Sequence, residues 1–160
     1  MDKYKLHTPW SLWIHSIHNK KWDINSYSKL FEIKNLFDFI YLESKLNMTY
    51  YENNMIFIMK NPILPLWESP NNINGCTFSF KIQKKNFKEW YKLLFKCIGN
   101  TIYKDKSNHE LLNGLSIVPK TYFFIIKLWI SNDIELDNLI NTYPPYILGD
   151  LCIKKLNNIN

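Results

Sequence analysis

Short runs of alternating apolar and polar residues, joined by polar loops, restrict this chain to a small set of folds. Trp10-Ser11-Leu12-Trp13-Ile14-His15-Ser16-Ile17-His18 alternates well enough for a strand with one buried face, and Thr77-Phe78-Ser79-Phe80-Lys81-Ile82 does so cleanly. Phe31-Glu32-Ile33 and Met55-Ile56-Phe57-Ile58-Met59-Lys60 read as further strands. Gly114-Leu115-Ser116-Ile117-Val118-Pro119-Lys120 and residues 122–130 form a hairpin with a tight turn near residues 120–124. Ile147-Leu148-Gly149 and Leu151-Cys152-Ile153 supply a last strand or strand pair. Strands that succeed one another through loops lie antiparallel, because a parallel neighbour needs a long crossover. The expected fold class is therefore α+β: a mostly antiparallel sheet with its helices packed on one face.

Three helices are expected. In the first, residues 34–46, Leu36, Phe37, Ile40, Tyr41 and Leu46 fall at helical spacing and define the apolar face. The second covers residues 86–98, with Phe87, Trp90, Leu94, Ile98 and either Phe95 or Leu93 on one stripe, and Gly99 as its stop. The third covers residues 133–143 and is stopped by Pro144-Pro145. Residues 47–54 read as a polar connection and residues 101–113 as loop with at most a turn of helix. Residues 1–9 read as a polar arm ending at Pro9, and residues 154–160 as a polar tail; residues 1–160 make one domain.

Composition narrows the function classes. Three scattered cysteines without CxxC spacing argue for a reducing compartment, expected to be the cytoplasm, and against zinc. No apolar run approaches the length of a membrane span. The net charge of +6 makes a polyanionic partner plausible, although the lysines are spread along the chain. Only four glycines are present, with no GxxxxGK[ST] and no GxSxG. His15 and His18, at odd spacing on a strand, face opposite sides and read as ordinary strand residues, and Cys97 lies in a helical core stripe. No catalytic constellation is visible and no cofactor is implied, so a binding protein is expected and not an enzyme.

The chemistry concentrates in Pro65-Leu66-Trp67-Glu68-Ser69-Pro70. Two prolines stiffen a loop that places a broad π face beside a carboxylate. The ring can stack on a base, and the acid can accept from the N1–H and 2-amino group of guanine. A 7-methylguanine is cationic, which adds a cation–π contribution of about 0.5–2 kcal/mol. Taken alone, such a pair is more often a buried anchor beside a solvated acid. A second loop tryptophan, Trp22 in Asn19-Lys20-Lys21-Trp22-Asp23, is the candidate for the other wall of a slot.

The order of tryptophans across nearly the whole chain, about residues 4–150, resembles the eukaryotic translation initiation factor 4E family of mRNA cap-binding proteins. The anchors are Trp10-Ser11-Leu12-Trp13, Lys21-Trp22, Pro65-Leu66-Trp67-Glu68, Glu89-Trp90 through Cys97-Ile98-Gly99, and Lys127-Leu128-Trp129. The resemblance implies a curved sheet with three helices on its convex back and the cap in the concave face. It also implies a base sandwiched by Trp22 and Trp67, hydrogen bonds from the base to Glu68, and Trp129 against the N7-methyl group. Trp10, Trp13 and Trp90 would be structural; Trp129 could equally be core. Lys120 stands where the family carries a phosphate-binding arginine, or is a solvated turn residue. The next phosphate-facing lysine of the family falls at Ile125, and Lys127 on the same strand face is its candidate substitute. The implied partner is the 7-methylguanosine triphosphate end of capped mRNA, bound by a monomer acting in translation initiation.

Two departures qualify that picture. The family's convex face binds a helical motif of the scaffold initiation factor 4G and of its repressors. Of the matching positions here, Leu6, Phe95 and Gly99 are compatible, whereas Lys34, Asp38, Tyr91 and Lys92 are not. Loss of an aromatic anchor at Asp38 removes a hot spot, so the usual motif is expected to bind weakly. Secondly, the chain lacks the family's long loop after Gly149, which leaves room for the first transcribed nucleotide. The alternatives are a cap-binding repressor or decoy, and an interaction module that has lost cap binding. The composition, rich in Asn, Ile, Lys and Tyr, fits an AT-biased coding sequence, as in a protist or a large DNA virus.

Overall fold

The computed structural model describes residues 3–140 and 152–158. Seven strands form one sheet: β1 Lys5–Ser16, β2 Ser28–Asn35, β3 Asn54–Lys60, β4 Cys76–Gln83, β5 Leu112–Pro119, β6 Phe123–Ile130 and β7 Ile153–Leu156. Their order is β2-β1-β3-β5-β6-β4-β7, every pairing is antiparallel, and the sheet is curved and open. Four helices accompany it: α1 Leu36–Lys45, α2 Met48–Asn53, α3 Lys88–Ile98 and α4 Leu136–Leu139.

Alternation sorts the sheet's side chains. Trp10 and Leu12 of β1, Ile56 and Ile58 of β3, Phe78, Phe80 and Ile82 of β4, and Phe124, Ile126 and Leu128 of β6 all enter one core. Phe39 and Leu42 of α1, Trp90, Leu93, Leu94 and Cys97 of α3, and Leu136 and Leu139 of α4 cover them. A smaller cluster of Phe57, Met59 and Trp129, flanked by Trp13, Tyr27, Met55 and Ile63, marks the other face.

Several elements differ from the sequence reading. The fourth helix is α2, which falls in the supposed polar connection. Asn47 caps it by accepting from the Tyr50 amide, and Tyr51 is its single buried residue. One apolar anchor in six residues leaves no period to detect. The Tyr51 hydroxyl accepts from Trp90 Nε1 at 3.2 Å and donates to the Tyr91 hydroxyl at 3.0 Å, tying α2 to α3. In α1 the inward residues are Phe39 and Leu42, while Phe37, Ile40 and Tyr41 are exposed. That helix is apolar on nearly every side, so periodicity does not select its face.

The third expected helix shrinks to one turn. Ile140 is extended and bridges to Tyr103, which ends α4 at Leu139. Residues 141–143, Pro144-Pro145 and the expected strand at residues 147–149 lie outside the described residues. The N-terminal arm is also shorter than expected, because β1 already pairs at Lys5 with Asn35. The register shifts between Lys5 and Trp10, where Pro9 has no N–H to donate. Part of the expected tail is strand, with β7 running to Leu156 against β4.

Gly75 ends the run Asn71-Asn72-Ile73-Asn74-Gly75, which signals a turn, but its requirement is closeness and not a positive φ, since no described glycine has one. A Cβ at Gly75 would collide with the carbonyl oxygen of Ile130. The substitution Gly75→Ala is expected to cost about 1–3 kcal/mol through overpacking against backbone, as measured by urea unfolding. After α3, likewise, the left-handed residue is Asn100, with φ 56°, and not Gly99.

Candidate functional site

One loop and three strands build a cleft on the face away from the helices. A cavity of about 290 Å³ is lined by Trp67, Thr77, Lys127, Trp129, Lys155, Leu156 and Asn157. Its floor follows from register. Trp129 of β6 stands opposite Thr77 of β4, and Thr77 stands opposite Lys155 of β7, so the three side chains share a face in one row. Lys127, two residues before Trp129, points the same way.

Trp129 is buried, donates from Nε1 to Ser116 Oγ at 3.0 Å, and meets Phe57 edge-on at 6.0 Å. It is therefore both core and cleft lining. Lys127 has a lowered pKa, chiefly from burial and then from the like charges of Lys155 and Lys120. Lys120 itself is exposed in the β5–β6 turn. None of these three lysines has an ion-pair partner among the described residues. Lys127 thus meets two like charges and has no ion-pair partner among the described residues, a site that an anion would relieve.

The wall is the loop after β3. Trp67 is 55% exposed and Glu68 is exposed beside it, yet the loop is firmly held. Asn72 is buried beneath it. Its Nδ2 donates to the carbonyls of Leu64 and Leu66 at 3.0 and 2.8 Å and to Ser69 Oγ at 3.1 Å. Asn113 Nδ2 donates to its Oδ1 at 2.9 Å, and Asn157 Nδ2 donates to its backbone carbonyl at 2.7 Å. The loop that carries Trp67 is thus bolted to the ends of β5 and β7.

Trp22 does not line the cavity. It is 51% exposed on the β1–β2 loop, stacked on buried His15. Tyr27 meets His15 edge-on at 4.8 Å and Phe57 at 5.4 Å, which links Trp22 to Trp129 through successive rings. The Tyr27 hydroxyl is pushed up to about 12, by burial first and then by the charge of Glu68. Glu68 therefore lies within electrostatic reach of Tyr27, which follows the loop that carries Trp22.

Four contributors escaped the sequence reading. Lys155 lay in the supposed tail, and Asn72 stands in a polar run, residues 71–75, that signals only a turn. Tyr27 had no distinguishing neighbour in sequence. For His15 a signal existed, because strand alternation already placed it on the face of Trp13 and opposite Trp10.

On the helix face, Leu6, Phe95 and Gly99 line one groove with Tyr4, Leu36 and Phe39. Tyr91, Lys92 and Phe95 line an adjoining one with Ile40 and Glu43. Asp38 caps α1, its carboxylate accepting from the Lys34 and Asn35 amides at 2.8 and 3.2 Å. Lys34 pairs with Glu32 and Lys92 with Glu89, and the Tyr91 hydroxyl is engaged by Tyr51.

Comparison with known proteins agrees with this fold. The crystal structure of Ascaris suum eIF4E-3 with m7G cap superposes with a TM-score of 0.71 at 20% identity, covering 84% of this chain and 77% of that one. The structure of schistosome eIF4E complexed with m7GpppA and 4E-BP gives 0.74 at 18% identity, covering 84% and 75%. A eukaryotic translation initiation factor 4E homolog of Acanthamoeba polyphaga mimivirus is 30% identical over 76 residues, 47% of this chain and only 27% of that protein's length. The model of the family "Eukaryotic initiation factor 4E" matches residues 5–143, nearly all of the sheet and its helices, and on that match the chain belongs to this family.

Proposed function

We propose that this chain binds the 7-methylguanosine 5′ cap of mRNA, without chemistry, as a step in translation initiation. The observation that supports the reading is a cleft that brings exposed Trp67 together with Lys127, Lys155 and Trp129, with exposed Glu68 next to Trp67 in the same loop. Trp22 and Trp67 would sandwich the base, Glu68 would accept from its N1 and 2-amino hydrogens, and Trp129 would meet the N7-methyl group. Lys120, Lys127 and Lys155 would take the phosphates. Lysine supplies charge to a phosphate without the bidentate fork of arginine.

Intrinsic tryptophan fluorescence titrated with 7-methyl-GTP and with GTP tests this. Quenching by the methylated nucleotide at far lower concentration is the expected result. Equal weak responses to both would remove the cap reading. The variant Lys155→Gln should weaken 7-methyl-GTP binding about two- to fivefold, the range of an exposed ion pair, and leave 7-methylguanosine binding unchanged.

The helix face supports a protein partner as well. Phe37, Ile40, Tyr41 and Phe95 are exposed beside the two grooves, so the surface remains apolar although Asp38 is spent as a cap. A partner would have to complement Lys34 and Lys92 instead of an aromatic anchor. A generic 4G-type motif peptide is expected to bind more weakly than micromolar in calorimetry; sub-micromolar binding would contradict this.

A further inference from the structure

His15 sits on the cleft side of β1 and is fully buried, yet it is a poor choice as filler. Its Nδ1 is buried with no hydrogen-bond partner among the described residues. Its Nε2 lies 2.7 Å from the Lys21 carbonyl, which can only accept, so Nε2 carries the proton and grips the residue before Trp22. The imidazole lies parallel to the Trp22 indole, with centroids 4.3 Å and planes 3° apart. Tyr27 closes on the imidazole edge-on and holds it against β1. An apolar side chain would fill this volume without stranding a nitrogen. What only a flat ring provides is a stacking surface.

We propose that His15 is a positioning residue for Trp22: it holds the indole in a fixed plane before any ligand arrives, so that the base stacks on the outer face of a preformed pair. A loop tryptophan without such backing would sample several rotamers, and binding would have to freeze them. The proposal rests on the cap-binding reading and adds to it the device that prepares one wall of the sandwich.

The test compares His15→Phe, which keeps a flat ring, with His15→Leu, which fills space without stacking. Both variants lose the bond to the Lys21 carbonyl, so the difference between them isolates stacking: His15→Leu is expected to bind 7-methyl-GTP about tenfold more weakly than His15→Phe, the scale of one aromatic pair. Thermal midpoints, measured alongside, identify any variant that is weak only because it unfolds. Wild-type binding by His15→Leu, or equal weakness of both folded variants, would overturn the proposal. A ligand-free measurement separates it from the cap reading. The near-ultraviolet circular dichroism contributed by Trp22, taken as the difference from Trp22→Leu, should persist in His15→Phe and vanish in His15→Leu. Persistence in His15→Leu overturns the positioning role. A Trp22 band that depends on His15 in a protein indifferent to 7-methyl-GTP would instead retain the positioning role and discard the cap.

Discussion

Glu68→Ala is expected to lower affinity for 7-methyl-GTP about a hundredfold or more while leaving the fold unchanged. Two donors of the base would lose a charged acceptor, and a hydrogen bond to a charged group contributes about 1.5–3 kcal/mol. Even with solvent screening at an exposed position, two such bonds exceed the 2.7 kcal/mol or so that correspond to a hundredfold change. Trp67→Ala should act on a similar scale, losing base stacking of about 1–3 kcal/mol together with the cation–π contribution. Trp67 is more than half exposed and Glu68 is exposed, so neither is part of either core. Surface substitutions away from packing and buried polar groups shift stability by less than about 0.5 kcal/mol. Binding and stability therefore separate cleanly in these variants, by fluorescence titration beside urea unfolding. Retention of wild-type affinity in Glu68→Ala would exclude the acid as the reader of the base.

Asn72→Asp is expected to damage both properties at once. The amide Nδ2 supplies hydrogens to two carbonyls and a hydroxyl under the Trp67 loop. A carboxylate of the same shape would set an acceptor against those acceptors, in a buried position where water does not screen them. Loss of these bonds and the resulting desolvated charge should cost about 2–4 kcal/mol. Residue 72 would still accept from Asn113 and Asn157, but the stretch from Leu64 to Ser69 would come away from it, and Trp67 with it, so 7-methyl-GTP affinity should fall although no residue of the cleft has changed. Asn72→Ala removes the bonds without adding repulsion and should fall between wild type and Asn72→Asp. An unfolding midpoint for Asn72→Asp equal to that of wild type would show that the network does not hold the loop.

These two variants mark the line between what is local and what is not. Glu68 and Trp67 were legible because their chemistry is adjacent in sequence and framed by prolines. The strands were legible because a half-buried strand must alternate, and the antiparallel sheet followed from connections too short for crossovers. Trp10 and Trp90 proved buried, as their places in an alternating strand and a helical stripe required.

Only the tertiary structure decided the rest. It chose Phe39 and Leu42 as the inner face of an α1 that is apolar all round, because the sheet and α3 offered a surface on one side alone. It made a helix of residues 48–53, whose stability comes from the bonded rings of Tyr51, Trp90 and Tyr91 across 39 and 40 residues of sequence. It turned Asn72 from a turn residue into a bolt by bringing up Asn113 and Asn157, 41 and 85 residues away. It added Lys155 to the cleft because β7 pairs with β4 in a register that sets Lys155 opposite Thr77. Sequence by itself determined the sheet, the direction of its strands and the residues whose chemistry is carried by near neighbours. Contacts between distant segments depend on strand order and register, which no local window encodes, and those contacts decided how the Trp67 loop is held and which charges surround the cleft.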